Sequence, residues 1–408
     1  MEAFDVVIVG AGIAGSALGS VLAPRGVSVL LLERQVEYRD KVRGEFMAPW
    51  GVAEALRLGL EGVLLDAGGD YSTTFVGYDE DVEAAASESA PLPFGRFIEG
   101  VRGALCVGHP QASAALRSLA ENRGATVRVG VGDVEVTAGA RPTVRYELDG
   151  ECFDASCRLV VGADGRQSSV RRGFGILLHQ ATSKATLGGL LVRTSGWPKD
   201  WSIFSSEGDV LHLAFPRADG YVRLYLACEP GPRSKGADRG RLLLEAFSSS
   251  AMPFSAAVRS CEVAGPCAYV QGSDGWTDSP VVEGVVLVGD AAGWSDPIIG
   301  QGLSVAMRDA RMVSDVLLEA GDWSPNAFEG YVTERAERMA RLKVAGYVNT
   351  EIRCTFTPEG RNRRAAMRAD SAINPLTLAP LLGSIAGPET QPAEAYEIEN
   401  VQRILNLR

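Results

Sequence analysis

Several scarcities narrow the field before any motif is considered. The 408 residues include three histidines (His109, His179, His212) and seven cysteines with no CxxC pair. A structural zinc site or a vicinal dithiol is therefore not expected. The odd set of thiols (Cys106, Cys152, Cys157, Cys228, Cys261, Cys267, Cys354) reads as free and reduced, small buried hydrophobes of a cytoplasmic protein. Positive charge is also short: 40 Lys and Arg face 51 Asp and Glu, a formal charge of −11. Nucleic acid is excluded as a partner, because phosphate binding needs clustered cations. No window approaches the roughly 18 uninterrupted apolar residues of a membrane span. The apolar run from Phe4 follows Glu2 and Asp5, so it reads as a buried strand rather than a signal peptide.

Glycine, by contrast, is abundant. Its 47 copies make about 12% of the chain, against an average near 7%. Neither a G-X-Y period nor a low-complexity tract absorbs the excess. Since glycine is costly inside helices and strands, the surplus points to turns where backbone comes close to something.

Along the chain, Phe4 to Val9, the glycines from Gly10 to Gly15, a small-residue helix and Val27 to Glu33 form a βαβ unit, which requires a parallel sheet. Residues 110–123 read as helix, and 126–136 and 143–148 as strands. From about 186 to 272 the texture becomes short alternating strands, an antiparallel sheet of its own. The expected organisation is a first domain over 1–180, a β-sheet substrate domain over 181–275, a return to the first domain over 276–325, and a helical region over 326–408. The Arg-rich stretch 326–370 reads as a solvated helix face, with attraction of an anionic donor or a membrane surface as the alternative. The tail after Asn374 reads as less regular.

Three glycine-acid clusters carry the chemistry. Gly10-Ala11-Gly12-Ile13-Ala14-Gly15 is a GxGxxG between a strand and a helix. Its glycines suit a tight turn, approach of backbone to a pyrophosphate, and close helix–strand packing. The helix start offers unpaired N–H groups to the phosphates. Glu33, followed by Arg34, ends the second strand, where a carboxylate can accept from ribose hydroxyls. This fingerprint alone does not choose between NAD and FAD. Gly162-Ala163-Asp164-Gly165 closes a second strand, and Gly289-Asp290-Ala291-Ala292-Gly293 a third, before Pro297-Ile298-Ile299-Gly300-Gln301-Gly302-Leu303.

The three motifs in this order resemble the group A flavoprotein monooxygenases, the p-hydroxybenzoate hydroxylase-like family, over about residues 1–320. The resemblance implies an α/β fold with a Rossmann-like FAD-binding domain, an inserted antiparallel substrate sheet and C-terminal helices. It implies that Asp290 accepts from the ribitol of FAD and that Pro297 to Leu303 lines the flavin edge, with Gly300 and Gly302 required where a Cβ would meet the ring. Asp164 would sit near the pyrophosphate, through Arg166 or water; its alternative, like that of Asp290, is a turn or helix cap. Arg43 lies where relatives have an Arg that reaches the FAD phosphates and the flavin's outer face, or else belongs to a solvated basic loop. Most relatives place an Arg at the start of the helix containing Leu116. Here His109-Pro110-Gln111 stands there, and Gln111 is the substitute. Val134 packs on the adenine or belongs to the core. His212 faces a substrate pocket or is structural, and with Arg43 it is the only catalytic candidate. Phe204, Leu213, Phe215, Leu224 and Tyr225 suggest an apolar or aromatic substrate.

By the same resemblance, NADPH or NADH binds transiently and reduces the FAD, and O2 adds to give a flavin C4a-hydroperoxide. The product is a hydroxylated or epoxidised small molecule of the kind made in natural-product biosynthesis. A metal is not expected, and the chain is expected to be a monomer or homodimer. A lipid reductase resembling geranylgeranyl reductase stays open, because Gly293 and Arg43-Gly44-Glu45 suit that subset. A flavin-dependent halogenase lacks its WxWxIP here, and a flavin-binding regulatory subunit would keep the motifs without a working pocket.

Overall fold

The computed structural model describes residues 1–407 other than residues 43, 138, 140 and 199, with the side chain of Pro232 also outside the description. The apolar runs that precede the three glycine clusters lie side by side in one six-stranded sheet. Its order is Val281–Val282, Val285–Leu287, Leu159–Gly162, Val6–Val9, Val29–Glu33, Thr126–Val129. The last five run parallel, and Val281–Val282 is antiparallel to its neighbour. Both faces are covered, which is why these strands read as continuous apolar runs. Val6, Ile8, Leu31 and Val161 pack beneath helices Ile13–Leu22, His109–Asn122 and Gly302–Glu319. Val7, Val9, Leu30 and Val160 point the other way, against a small sheet of Glu2–Ala3, Glu151–Ser156, Thr143–Leu148 and Val134–Thr137. The stretch 126–136 was expected as one strand. It breaks at Gly130 (φ 77°), and its halves enter different sheets.

A nine-stranded sheet forms the second layer, in the order Gly293–Trp294, Ala268–Trp276, His179–Arg193, Tyr221–Cys228, Val210–Pro216, Trp201–Glu207, Thr74–Asp79, Leu92–Pro93, with Glu262–Val263 paired to His179–Arg193. It draws strands from outside residues 181–275. Thr74–Asp79 pairs parallel with Trp201–Glu207, and Gly293–Trp294 extends the other edge. Period-two alternation sorts its side chains. Val210, Ala214, Leu224 and Leu226 face helices Arg239–Ser248 and Ser255–Arg259. Leu211, Leu213, Phe215 and Tyr225 face the opposite side, with Ile298 and Ile299.

The C-terminal region is helical at Glu329–Arg353, Pro358–Ser371, Ala379–Ala386 and Ile398–Leu405. Two of these lie in the tail expected to be irregular. The reading of the Arg-rich stretch as a solvated face is also corrected, because Arg335, Arg338 and Arg364 are buried and paired with carboxylates. Among the described residues, no helix is long and apolar enough to cross a membrane.

Candidate functional site

The loops after Val9, Gly162 and Leu287 leave the same end of three adjacent parallel strands, so the three motifs converge. Gly10 (φ 102°) turns the chain so tightly that a Cβ would lie 2.5 Å from the Ala163 carbonyl oxygen. At Gly15 a Cβ would lie 2.0 Å from the Gly10 carbonyl oxygen, so the helix sits directly on the turn. Between them Gly12 differs: a Cβ there would meet nothing within 4 Å. It precedes helix Ile13–Leu22, whose start has no side-chain cap and no acidic residue in its first turn. Ile13 and Ala14 are buried beside it. The result is an uncapped helix start with open space before it, suited to an anion.

Glu33 closes the neighbouring strand. Its carboxylate accepts from the backbone N–H groups of Ala11 and Gln35, each at 2.8 Å, and each oxygen keeps a lone pair for a further donor. Arg34 is exposed beside it. Val134 begins a strand of the small sheet, opposite Tyr146 and half-buried against the core there.

The two aspartates divide their roles. Asp164 caps the short helix Ser169–Gly173, its Oδ2 accepting from Ser169 N (2.6 Å), Ser169 Oγ (2.9 Å) and Val170 N (3.3 Å). The cap reading therefore describes that oxygen, while its buried Oδ1 has no partner among the described residues. Arg166 does not reach Asp164. Its Nε donates to Asp290 Oδ2 at 3.2 Å, and its guanidinium lies 5.0 Å over Trp294. Buried Arg171 ties the two loops, donating to the Ala291 and Arg166 carbonyl oxygens at 2.7 and 2.8 Å.

Beneath the third loop lies a clamp that motif reading missed. Arg335, from helix Glu329–Arg353, donates to the carbonyl oxygens of Gly289, Ala292 and Gly293 at 3.0–3.1 Å and to Asp309 Oδ2 at 3.0 Å. Asp309 also accepts from the Gly289 N–H (2.8 Å) and from Arg338 (2.7 Å). Burial pushes the Asp309 pKa up, but the two guanidiniums outweigh it and hold the carboxyl below its ordinary value. The only sequence signal was the spacing Asp309 to Arg335 to Arg338 on successive helices, which a long-range ion triad shares with any charged helix pair.

Pro297 opens the next turn, where Asp296 caps the segment through Ile298 N at 2.9 Å. Gly300 is left-handed (φ 63°), and a Cβ there would lie 3.3 Å from the Phe46 ring. Gln301 is buried, accepting from Trp50 Nε1 at 2.9 Å and donating to the Ile299 carbonyl. Its side chain thus fixes the loop. Gly302 starts helix Gly302–Glu319, again with open space around a Cβ, and Leu303 packs into the core. Asp296 N donates to Asp274, whose carboxyl is pushed up to about 6 by burial and by Asp296, against the opposing pull of that N–H and of Lys343. A raised carboxylate favours the fold in its protonated form, so that contribution is present at low pH and lost as pH rises through about 6. Asp274→Asn is therefore expected to raise the melting temperature at about pH 8 and flatten its fall from about pH 5. An unchanged slope in a melting series would refute this.

On the sheet side, Phe204, Leu213, Phe215 and Tyr225 share the face that carries Ile298 and Ile299, whereas Leu224 lies on the opposite face. His212 is also on that opposite face. It is buried edge-on to Phe247 (4.7 Å), its Nε2 3.1 Å from the Ala246 carbonyl, and burial lowers its pKa. The pocket reading of His212 is thereby corrected to a structural one. Arg43 lies outside the described residues. Gln111 is exposed near the start of its helix, and a Cβ on Gly108 would lie 2.1 Å from its Oε1 and 2.5 Å from Arg217 Nη2. A guanidinium therefore does stand at this helix start, delivered from the sheet. Arg217 pairs with Glu45 (3.2 Å), which also accepts from the fully buried Arg223 (2.8 Å).

The open space at Gly12 and Gly302, each at a helix start, and acceptors at Glu33 and Asp290 fit FAD: anionic phosphates, two polyols and a flat ring. No cluster that could hold a metal occurs among the described residues. Menaquinone reductase of Mycolicibacterium smegmatis is 25% identical over 342 residues, covering 78% of this chain and 77% of its own length. The mitochondrial squalene epoxidase 2 of Arabidopsis thaliana is 26% identical over 336 residues, 77% of this chain and 54% of the relative. The crystal structure of p-nitrophenol 4-monooxygenase from Pseudomonas putida superposes with a TM-score of 0.80 at 18% identity, over 95% of this chain and 99% of that one. Residues 3–344 match the FAD binding domain family, and the chain belongs to it: an FAD-binding oxidoreductase of the p-hydroxybenzoate hydroxylase-like monooxygenase family.

Proposed function

We propose that the protein is a monooxygenase that uses NADPH or NADH and O2 to hydroxylate or epoxidise an apolar small molecule over FAD. The observation that carries this reading is the inner face of the nine-stranded sheet, where Phe204, Leu213, Phe215 and Tyr225 share one apolar cluster with Ile298 and Ile299 of the glycine-rich turn. A substrate held there lies against the edge that the flavin would occupy.

In this reading the open space at Gly12 takes the pyrophosphate, Glu33 the adenosine ribose and Asp290 the ribitol. Asp290 would exchange part of its pairing with Arg166 for a hydroxyl. Arg217 supplies the cation that relatives carry on the helix near Leu116. The start of helix Gly302–Glu319 faces the pyrimidine edge and favours negative charge there. FAD bound in this way carries electrons from the nicotinamide donor and activates O2. The chain's own part is to orient the substrate, exclude water with the apolar wall and hold the cofactor's charged edge.

The relationship to menaquinone reductase favours a second reading, a flavin-dependent lipid reductase, which Gly293 also suits. Oxygen uptake separates the two. With NADPH and a panel of aromatic and polyene compounds, a monooxygenase couples O2 consumption to an oxygenated product, whereas a reductase forms product without O2. Purified protein is expected to be yellow, with absorbance near roughly 370 and 450 nm. A colourless preparation that takes up no added FAD would refute the reading. Asp290→Ala is expected to weaken FAD retention about tenfold, the loss of one charge-assisted hydrogen bond. Undiminished affinity in equilibrium dialysis would remove the ribitol assignment.

A further inference from the structure

The last residue of helix Glu329–Arg353 stands out among the C-terminal arginines. Arg335, Arg338 and Arg364 each donate to a buried carboxylate, Asp309 or Asp79. Arg353 instead leans over the inner face of the sheet, its guanidinium carbon 4.5 Å from the Phe204 ring centroid. Its Nε is buried and has no hydrogen-bond partner among the described residues. The nearby carboxylates are already taken: Asp79 pairs with Arg364 and Arg368, and Glu80 with Arg361 and Arg364. Three guanidiniums thus share two carboxylates at this end of the sheet, and Arg353 is a fourth, turned toward aromatic surface. Burial and its cationic neighbours lower its pKa to about 10, so it stays charged at neutral pH.

The aromatic surface is continuous with the flavin side. Phe204 lies 6.1 Å from Phe75, and both belong to the apolar cluster that includes Ile298 and Ile299 of the glycine-rich turn. One end of this wall is the place for chemistry, and the other ends in a cation without a partner. A partly desolvated guanidinium is costly unless an anion meets it, and its planar fork matches a carboxylate.

We infer that the substrate is an apolar or aromatic molecule bearing a carboxylate at the end remote from the reacting carbon, and that Arg353 receives that group. This rests on the monooxygenase reading of the same site. The nicotinamide donor is a poorer occupant, because its hydrated diphosphate would lie against phenylalanine rings.

The test uses matched pairs of aromatic carboxylic acids and their methyl esters, from phenylpropanoate to biphenyl-4-carboxylate. Holoprotein binding is read by perturbation of the flavin spectrum and, separately, by tryptophan fluorescence. At least one acid should bind about tenfold more tightly than its ester, the gain expected of a hydrogen bond to a charged group. Arg353→Met should erase that preference, leave ester affinity and the KM for NADPH unchanged, and Arg353→Lys should restore part of it. Equal binding of acids and esters by the wild-type protein would overturn the inference, as would a preference that survives in Arg353→Met or a change confined to NADPH. A protein that takes up no FAD yet still distinguishes acid from ester by tryptophan fluorescence would sink the monooxygenase reading and leave the carboxylate site standing.

Discussion

Arg335→Met is expected to destabilise the protein by about 3–5 kcal/mol, the range for breaking a buried ion pair, and to abolish FAD retention. Four contacts disappear together: three carbonyls of the loop Gly289–Gly293 lose their donor, and buried Asp309 loses one of its two cations. Asp290 sits on that loop, so a loosened loop misplaces its carboxylate. Arg335→Lys should rescue little, since a single ammonium cannot span three carbonyls and a carboxylate. The matching change Asp309→Asn should cost less when combined with Arg335→Met than the two single costs added, because both remove the same pair. Urea unfolding of the four proteins gives this directly. Additive costs, or a variant that still purifies with full FAD, would show that the clamp does not support the cofactor.

The second large effect separates two glycines three positions apart. Gly15→Ala places a methyl 2.0 Å from the Gly10 carbonyl oxygen and 3.0 Å from the Ala163 side chain. Helix Ile13–Leu22 must then lift from the sheet, at a cost of about 1–3 kcal/mol or more for overpacking a filled core. Gly12→Ala meets nothing within 4 Å, so the chain should melt with the wild type when free of FAD. Its FAD affinity should nevertheless fall by at least about tenfold, because ~1.4 kcal/mol of lost approach to the phosphates suffices for that factor. Thermal melts of the FAD-free proteins, beside FAD titrations, test the contrast. If Gly12→Ala binds FAD normally, the pyrophosphate does not lie against Gly12.

These expectations follow from parts of the chain that were unequally legible in the sequence. The glycine clusters could be read because each requirement is local: a turn, an uncapped helix start, an acid at a strand end. Nothing local marks Arg335 as inward-facing while Tyr347, 12 residues further along the same helix, is exposed; only the arrival of Asp309 from another helix turns the arginine inward. Arg217 was equally hidden. It reaches the start of helix His109–Asn122 from the sheet, and sequence order gives no sign of that approach. The faces of Leu224 and His212 stayed open in the sequence for another reason. Alternation separates two faces without naming them, and only the contacts of the helices over residues 239–259 fix which one is turned from the flavin side. The division of the chain was blurred in the same way, since Thr74–Asp79 joins the second sheet by pairing with a strand far ahead of it.

That last pairing bears on how the molecule is made. A parallel partner for Thr74–Asp79 does not exist until Trp201–Glu207 has been synthesised, and the central sheet lacks Val285–Leu287 for longer still. The clamp at Arg335 emerges later again. During translation the nascent chain therefore carries unpaired strand edges that local contacts cannot close, the circumstance in which folding is slow and aggregation competes with it.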